Sequence, residues 1–463
     1  MATADRSTVA ARTGPQLRTG AWYGDRPLEL PFPEDWQVTA HWPDTPEPVS
    51  DDEIARALEE PVGQPPIRSL ARGRKRPLIV VDDLTRPTPA TRLLPLVLRQ
   101  LAEGGIAPEA VAILIASGTH RQPTGDGMAK KVGPEAAASC RLLAHDDSKG
   151  VARVGRTSFG TPVIVNRAVL ESDFVLGIGG VYPQALPFFG GGSKLALGVL
   201  SKRSIMGLHY GHASKVDFRR DLDEIAALIG LETTIAAHID PWREIVRVVS
   251  GDHNVYYEDA AAFSKRAYGA PAPTGADVVV VNAYPMDGSL TFLRKGIGPL
   301  AHAPPSASRI VVAACTEGIG HHGLFPFMNG PRFARQTELL RRARARPGAI
   351  PLKAARRAAK RLGPLAPRRW APAPRPAKRP AAASAVRPVW LHPTDRDPGS
   401  LPSEIPGMIA IHSWPQLIEH VAREQGGRDT LQVVVYPCAP LQVIAESVGG
   451  ARTGVPPELE TLE

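Results

Sequence analysis

The sequence holds only three cysteines, Cys140, Cys315 and Cys438. They are too few and too scattered for a disulfide framework or a thiolate metal cage, and are expected to be reduced and buried. No run approaches the roughly 18 apolar residues of a membrane span. The opening MATADRSTVAARTG lacks the apolar stretch of a secretory signal. These absences lead to the expectation of a soluble, cytoplasmic protein with no membrane partner.

Acidic residues are nearly missing from 335–387, where sixteen Lys/Arg stand against one acid, Glu338. This stretch carries +15 in a chain of net charge +9, which leaves −6 for the remainder. The basicity therefore belongs to one segment, and nucleic acid is not the expected partner. Rich in Ala, Pro and Arg and poor in large aliphatic residues, the segment reads as a flexible solvated insertion with one helix at 352–361.

What is present is globular: 463 residues, 43% hydrophobic and 22% charged. Short β-branched runs alternate with helical patterns, the pattern of βα units. The fold class is α/β, with two α/β domains, mostly parallel sheets and an interdomain active-site cleft. Residues 1–20 read as a disordered tail, 21–270 as the first domain, 271–450 as the second, interrupted by 335–387, and 451–463 as a tail. Strands are expected at Pro77 to Asp82, Ala112 to Ala116, Phe174 to Ile178, Val278 to Val281, Ile310 to Ala314 and Leu431 to Tyr436. Ligands of such sheets gather beyond the carboxyl ends of the strands, where helix N-termini leave N–H groups unpaired.

Four polar clusters fall just after expected strands. Asp83-Leu84-Thr85-Arg86 offers a carboxylate, a hydroxyl and a guanidinium; it either holds an anion through Arg86 or caps the next helix through Asp83 or Thr85. Gly118-Thr119-His120-Arg121 places an imidazole beside a cation, suited to acid or base work near neutral pH. Gly190-Gly191-Gly192-Ser193-Lys194 invites a phosphate-loop reading, but its spacing is wrong for one. A lysine there is either a desolvated nucleophile or a surface residue on a flexible turn. The fourth cluster is Asn282-Ala283-Tyr284-Pro285-Met286-Asp287. His209 and His212 are candidate ligands of a borderline metal, while His145 and the His321-His322 pair are weaker ones.

In order along the chain, Asp83-Leu84-Thr85-Arg86, Gly118-Thr119-His120-Arg121, Gly191-Gly192-Ser193-Lys194, His209 and Tyr284-Pro285-Met286-Asp287 ending at Lys295 resemble the nickel-pincer nucleotide-dependent lactate racemase family. The resemblance runs from about Val80 to Ile297. It implies a cofactor that is a pyridinium-3,5-bisthiocarboxylic acid mononucleotide with nickel, tethered as a thioamide at Lys194, with His209 as the nickel ligand. Asp83, Thr85, Gly191, Gly192 and Ser193 are then expected around the cofactor, and Arg86, His120 and Lys295 in catalysis. The implied chemistry is a hidden redox cycle. Hydride leaves the hydroxyl-bearing carbon and returns to its other face, while a histidine handles the hydroxyl proton.

The chain departs from this pattern at Gln184, where a second histidine is expected; glutamine hydrogen-bonds but cannot serve as a base. Thr291 and Phe292 replace a tyrosine and a glutamine near Lys295. The expectation is a racemase or epimerase acting on a 2-hydroxy acid or polyol-type substrate other than lactate. Tyr182, His145, His212 or water would then provide the second proton relay. The alternative is a catalytically impaired homologue that binds the nucleotide, or a one-sided redox or tailoring enzyme. Enzymes that make the cofactor are the expected protein partners.

Overall fold

A computed structural model describes residues 11–12, 14–184, 188–212, 214–324, 387–395, 401, 405 and 407–444. Two six-stranded sheets dominate it. The first has the order Ile245–Gly251, Leu231–Ile239, Phe174–Gly180, Pro77–Asp82, Ala112–Ala116, Arg141–Ala144. Only its edge strand Ile245–Gly251 runs antiparallel to its neighbour. The second has the order Met408–Ala410, Val389–Pro393, Ser308–Ala313, Val278–Asn282, Gln432–Tyr436, Gln37–Ala40, all parallel. The chain is thus α/β with mostly parallel sheets, as expected from its sequence.

The central strands are apolar on both faces because both faces are covered. Ala112–Ala116 and Val278–Asn282 are buried at every position. On one face of the first sheet, Ile79 and Ile113 pack with Leu93, Val97 and Leu101 of the helix Ala90–Glu103. On the other, Val80 and Leu114 meet Ile205 and Leu208 of the helix Lys202–Gly211, and Phe218 and Leu222 of the helix Lys215–Leu228. Each such side chain contributes roughly 1.5–3 kcal/mol on burial. Ser201 and Ser214 cap these two helices by accepting from the N–H groups of Ser204 and Asp217. Among the described residues no helix is long and apolar enough to cross a membrane.

Two sequence expectations change. Leu17–Thr19, assigned to a tail, pairs as a strand with Arg26–Leu28. Gln37–Ala40, assigned to the first domain, is the edge strand of the second sheet. Asp287 explains the path of the chain between them. Its buried carboxylate accepts from Gly20 N–H (2.7 Å), Ala21 N–H (3.1 Å) and the Thr19 hydroxyl (3.1 Å), tying the N-terminal segment to a loop of the second sheet. The helix expected at 352–361, most of the basic insertion and the tail 451–463 lie outside the described residues.

Candidate active site

The loop after Pro77–Asp82 does not cap the following helix, whose N-cap position is Pro89. Asp83 instead turns to its neighbouring strand end. Its Oδ1 accepts from the Thr85 N–H (3.1 Å) and hydroxyl (2.5 Å), and its Oδ2 from His120 Nδ1 (2.8 Å). Burial pushes the Asp83 carboxyl up, but the His120 contact, Arg86 and the Thr85 hydroxyl outweigh it and hold the group at about 2. Burial pushes the His120 imidazole down; Asp83 opposes this, while the Arg86 and Lys295 cations add to it. The result is a carboxylate beside a neutral ring. Because the carboxylate can only accept, His120 carries its proton on Nδ1 and presents Nε2 as the basic nitrogen. Arg86 donates to the Thr85 hydroxyl at 2.7 Å.

Lys131 underpins this loop and was not singled out from the sequence. Its fully buried ammonium lies 2.7 Å from Asp82 Oδ1 and donates to the carbonyls of Arg86 (3.2 Å) and Thr88 (2.9 Å). One more lysine in a charged surface-like stretch gave no sign of this in the sequence.

The glycine turn is a tight passage. Gly191 and Gly192 have φ of +81° and +55°, and a Cβ on Gly192 would come within 2.8 Å of Arg219 Nη2 and 3.2 Å of His253 Cβ. Below the turn, Arg219 donates through Nε to Asp223 (3.0 Å), which also accepts from Ser193 (2.5 Å). Arg219 Nη1 and both ring nitrogens of His253 are buried without a hydrogen-bond partner among the described residues. Such groups favour an anionic guest. Arg219 and His253 were also missed in the sequence, since only the folded chain brings them under the turn.

Lys194 opens the single helical turn Lys194–Leu197. Burial, with the neighbouring Arg86 and Arg219 charges, lowers its amine to about 7. His209, in the last turn of Lys202–Gly211, donates from Nδ1 to the Ile205 carbonyl at 2.8 Å, which leaves Nε2 as its acceptor. Burial lowers this ring to about 4, and the charges of Lys194 and Lys295 contribute. Lys295 sits on the short turn Arg294–Gly296, pushed well below its usual range by burial and then by Arg86 and Lys194. These mutual influences place Asp83, Arg86, His120, Lys194, His209 and Lys295 in one charge cluster.

Gln184 pairs through its backbone with Phe188 in a short hairpin; its side chain lies outside what the structure describes. Two of the three side chains named as substitutes for a second histidine, His145 and His212, are engaged elsewhere, whereas the Tyr182 hydroxyl is buried without a hydrogen-bond partner among the described residues. His145 is fully buried, with Nε2 donating to the Leu200 carbonyl (2.9 Å) and Nδ1 facing the Asn166 amide (3.2 Å). His212 contacts Asp221 at 2.6 Å. Tyr182 is buried in an apolar cluster with Ile239, Tyr268 and Met286.

Phe292 packs edge-on against His120, ring centroids 4.8 Å apart. With Trp22, Tyr23, Leu84, Thr85 and Met286 it borders a void of about 20 Å³, room for about one water. On the other side of His120, an open recess of about 340 Å³ is bordered by Thr119, Arg121, Asp146, Asp147 and His321. Among the described residues, no three His, Cys, Asp or Glu side chains converge as a metal cage.

Residues 23–218 match the lactate racemase N-terminal domain. The lactate racemase of Lactiplantibacillus plantarum is 26% identical over 289 residues, covering 59% of this chain and 68% of that protein. That of Thermoanaerobacterium thermosaccharolyticum is 27% identical over 292 residues, with the same coverage of 59% and 68%. The structure of the lactate racemase apoprotein from the latter organism shares the fold, with a TM-score of 0.65 at 20% identity over 93% of this chain and all of that one.

Proposed function

Because this chain belongs to the lactate racemase-like family, we propose that it is a racemase or epimerase of 2-hydroxy acids that works with a nickel-pincer nucleotide. The observation that carries the proposal is the 2.8 Å contact of Asp83 with His120 at the ends of adjacent parallel strands, with Arg86, Lys194, His209 and Lys295 near enough to shift one another's protonation.

The residues fit the group in three respects. An amine lowered to about 7 is substantially unprotonated at neutral pH and can be acylated. A histidine whose Nδ1 is committed to a carbonyl offers Nε2 to one metal. Arg219, His253 and the glycine turn supply donors for a mononucleotide's anionic part. When bound, the group supplies a reversible hydride acceptor for the carbon that bears the hydroxyl.

The chain supplies the remaining functions. Arg86 and Lys295 bind the substrate carboxylate. His120 takes the hydroxyl proton on Nε2, and Asp83 holds the tautomer and stabilises the imidazolium that forms. Phe292, Trp22, Leu84 and Met286 line the neighbouring void with apolar surface, which favours a substrate less polar than lactate. The cofactor-making enzymes are the protein partners this reading requires.

Gln184 favours a second reading, a homologue that holds the nucleotide without turnover or performs only a one-sided redox or tailoring reaction, because an amide cannot take a proton. Chiral analysis of 2-hydroxy acids incubated with the cofactor-loaded protein separates the two. Inversion by the wild type supports the racemase, whereas inversion only after Gln184→His supports the impaired homologue.

A further inference from the structure

A second imidazole, that of His322, packs against the proton-handling histidine, its centroid 5.1 Å from that of His120. Backbone contacts fix this placement. His120 and His322 form an antiparallel bridge, and the Gly323 N–H donates to the Thr119 carbonyl at 2.7 Å. The same loop is held to the opposite element: the N–H groups of Leu290 and Thr291 donate to the carbonyls of Gly318 (2.9 Å) and Ile319 (3.0 Å). A Cβ on Gly320 would fall 2.4 Å from Ser289 Oγ. A segment clamped this closely between the ends of two sheets delivers its side chain to a fixed position.

The tautomers of the two rings are complementary. His120 Nδ1 donates to Asp83, so its Nε2 is an acceptor. His322 Nδ1 accepts from the Leu324 N–H at 3.3 Å, so its Nε2 carries the proton. Burial, then electrostatic coupling to His120 and to Lys295, push His322 far below its usual range. It is therefore a neutral donor across the working pH range and is poorly suited to being a base. A neutral imidazole that donates to a substrate oxygen is an established way to polarise a carbonyl.

We propose that His322 is a catalytic hydrogen-bond donor, whose Nε2–H holds the substrate oxygen while His120 serves as the one base for both enantiomers. The inference rests on the racemase reading and explains how inversion proceeds with glutamine at position 184. As hydride leaves carbon, the O–H bond breaks and its proton goes to His120 Nε2, forming an imidazolium beside Asp83. The planar carbonyl makes a half-turn about its C–O axis, its carboxylate leaving Arg86 and Lys295 while its oxygen stays hydrogen-bonded to His322. Hydride returns to the other face as the same proton goes back from His120 to oxygen. His322 remains neutral throughout, so no second base is required.

Two variants and one spectroscopic measurement test this. With cofactor-loaded protein, His322→Phe should lower kcat by roughly 10²- to 10³-fold in both directions with KM little changed. His322→Gln, which restores an N–H but cannot be a base, should stay within about tenfold of wild type. Unchanged kcat in His322→Phe, or a block confined to one enantiomer in single turnovers, overturns the proposal; the second outcome would make His322 a base. On cofactor-free wild type, 15N NMR should show the His322 ring neutral with Nε2 protonated from pH 5 to 8, and its Nε2 signal should move when phenylpyruvate is added. A ring that titrates in that range, or a signal indifferent to phenylpyruvate, overturns it without reference to activity. Failure of the racemase reading itself shows differently, as a wild type without adduct or inversion.

Discussion

His120 Nδ1 lies 2.8 Å from Asp83 Oδ2, and this contact joins the carboxyl ends of two adjacent parallel strands. The carboxylate selects which ring nitrogen carries the proton and thereby which one faces the chemistry. Asp83→Asn should leave the fold intact and lower kcat by roughly 10²- to 10⁴-fold. The same contact has a pH signature. Held at about 2 against an ordinary value near 4, the carboxyl contributes stability that is complete above pH ~4 and is lost as pH falls towards 2. Its size is on the order of 2 kcal/mol. Urea unfolding between pH 5 and 2 should show a shallower loss of stability in Asp83→Asn than in the wild type.

Lys131 makes a different prediction because its partner is as buried as the site requires. Lys131→Met removes the cation facing Asp82 and the donors to the Arg86 and Thr88 carbonyls. Leaving that carboxylate unpaired should cost about 3–5 kcal/mol, read as a lower urea midpoint with an unchanged slope.

Gly192 can be tested against a glycine of similar backbone. Gly192→Ala meets both a φ of +55° and the Arg219 side chain, whereas Gly230→Ala has a φ of +70° and nothing within 4 Å of the added carbon. Each should lose roughly 1–2 kcal/mol from backbone strain. Only Gly192→Ala should also reduce the fraction of protein carrying cofactor, measured by intact mass.

Phe292→Gln replaces an apolar wall beside His120 with a polar one. The kcat/KM ratio of an aromatic 2-hydroxy acid to lactate should fall by about 10- to 200-fold. An unchanged ratio would remove Phe292 from substrate selection.

Much of the site was legible because parallel strands gather their following loops at one edge. The loops after Asp82 and Ala116 therefore meet, and the loop after Asn282 reaches them from the second sheet. The buried central strands were equally plain, since Pro77–Asp82 and Val278–Asn282 are apolar runs with no competing helical period. Gln37–Ala40 was not legible. Its four residues QVTA are half exposed, and membership of the second sheet rests on pairing with Gln432–Tyr436 almost 400 positions away. For the same reason the contact of His322 with His120 could not be read from sequence, because it depends on how the loop after Ser308–Ala313 docks on the first sheet. His145 and His212 show the converse: residue type made them candidates, and buried partners occupy them.

The most direct test of the whole account is intact-mass and nickel analysis of the protein produced together with cofactor-making enzymes. The wild type should carry a covalent adduct on the peptide that contains Lys194, Lys194→Ala should carry none, and His209→Ala should keep the adduct while losing nickel. A wild type without an adduct, or an adduct that survives Lys194→Ala, would contradict it.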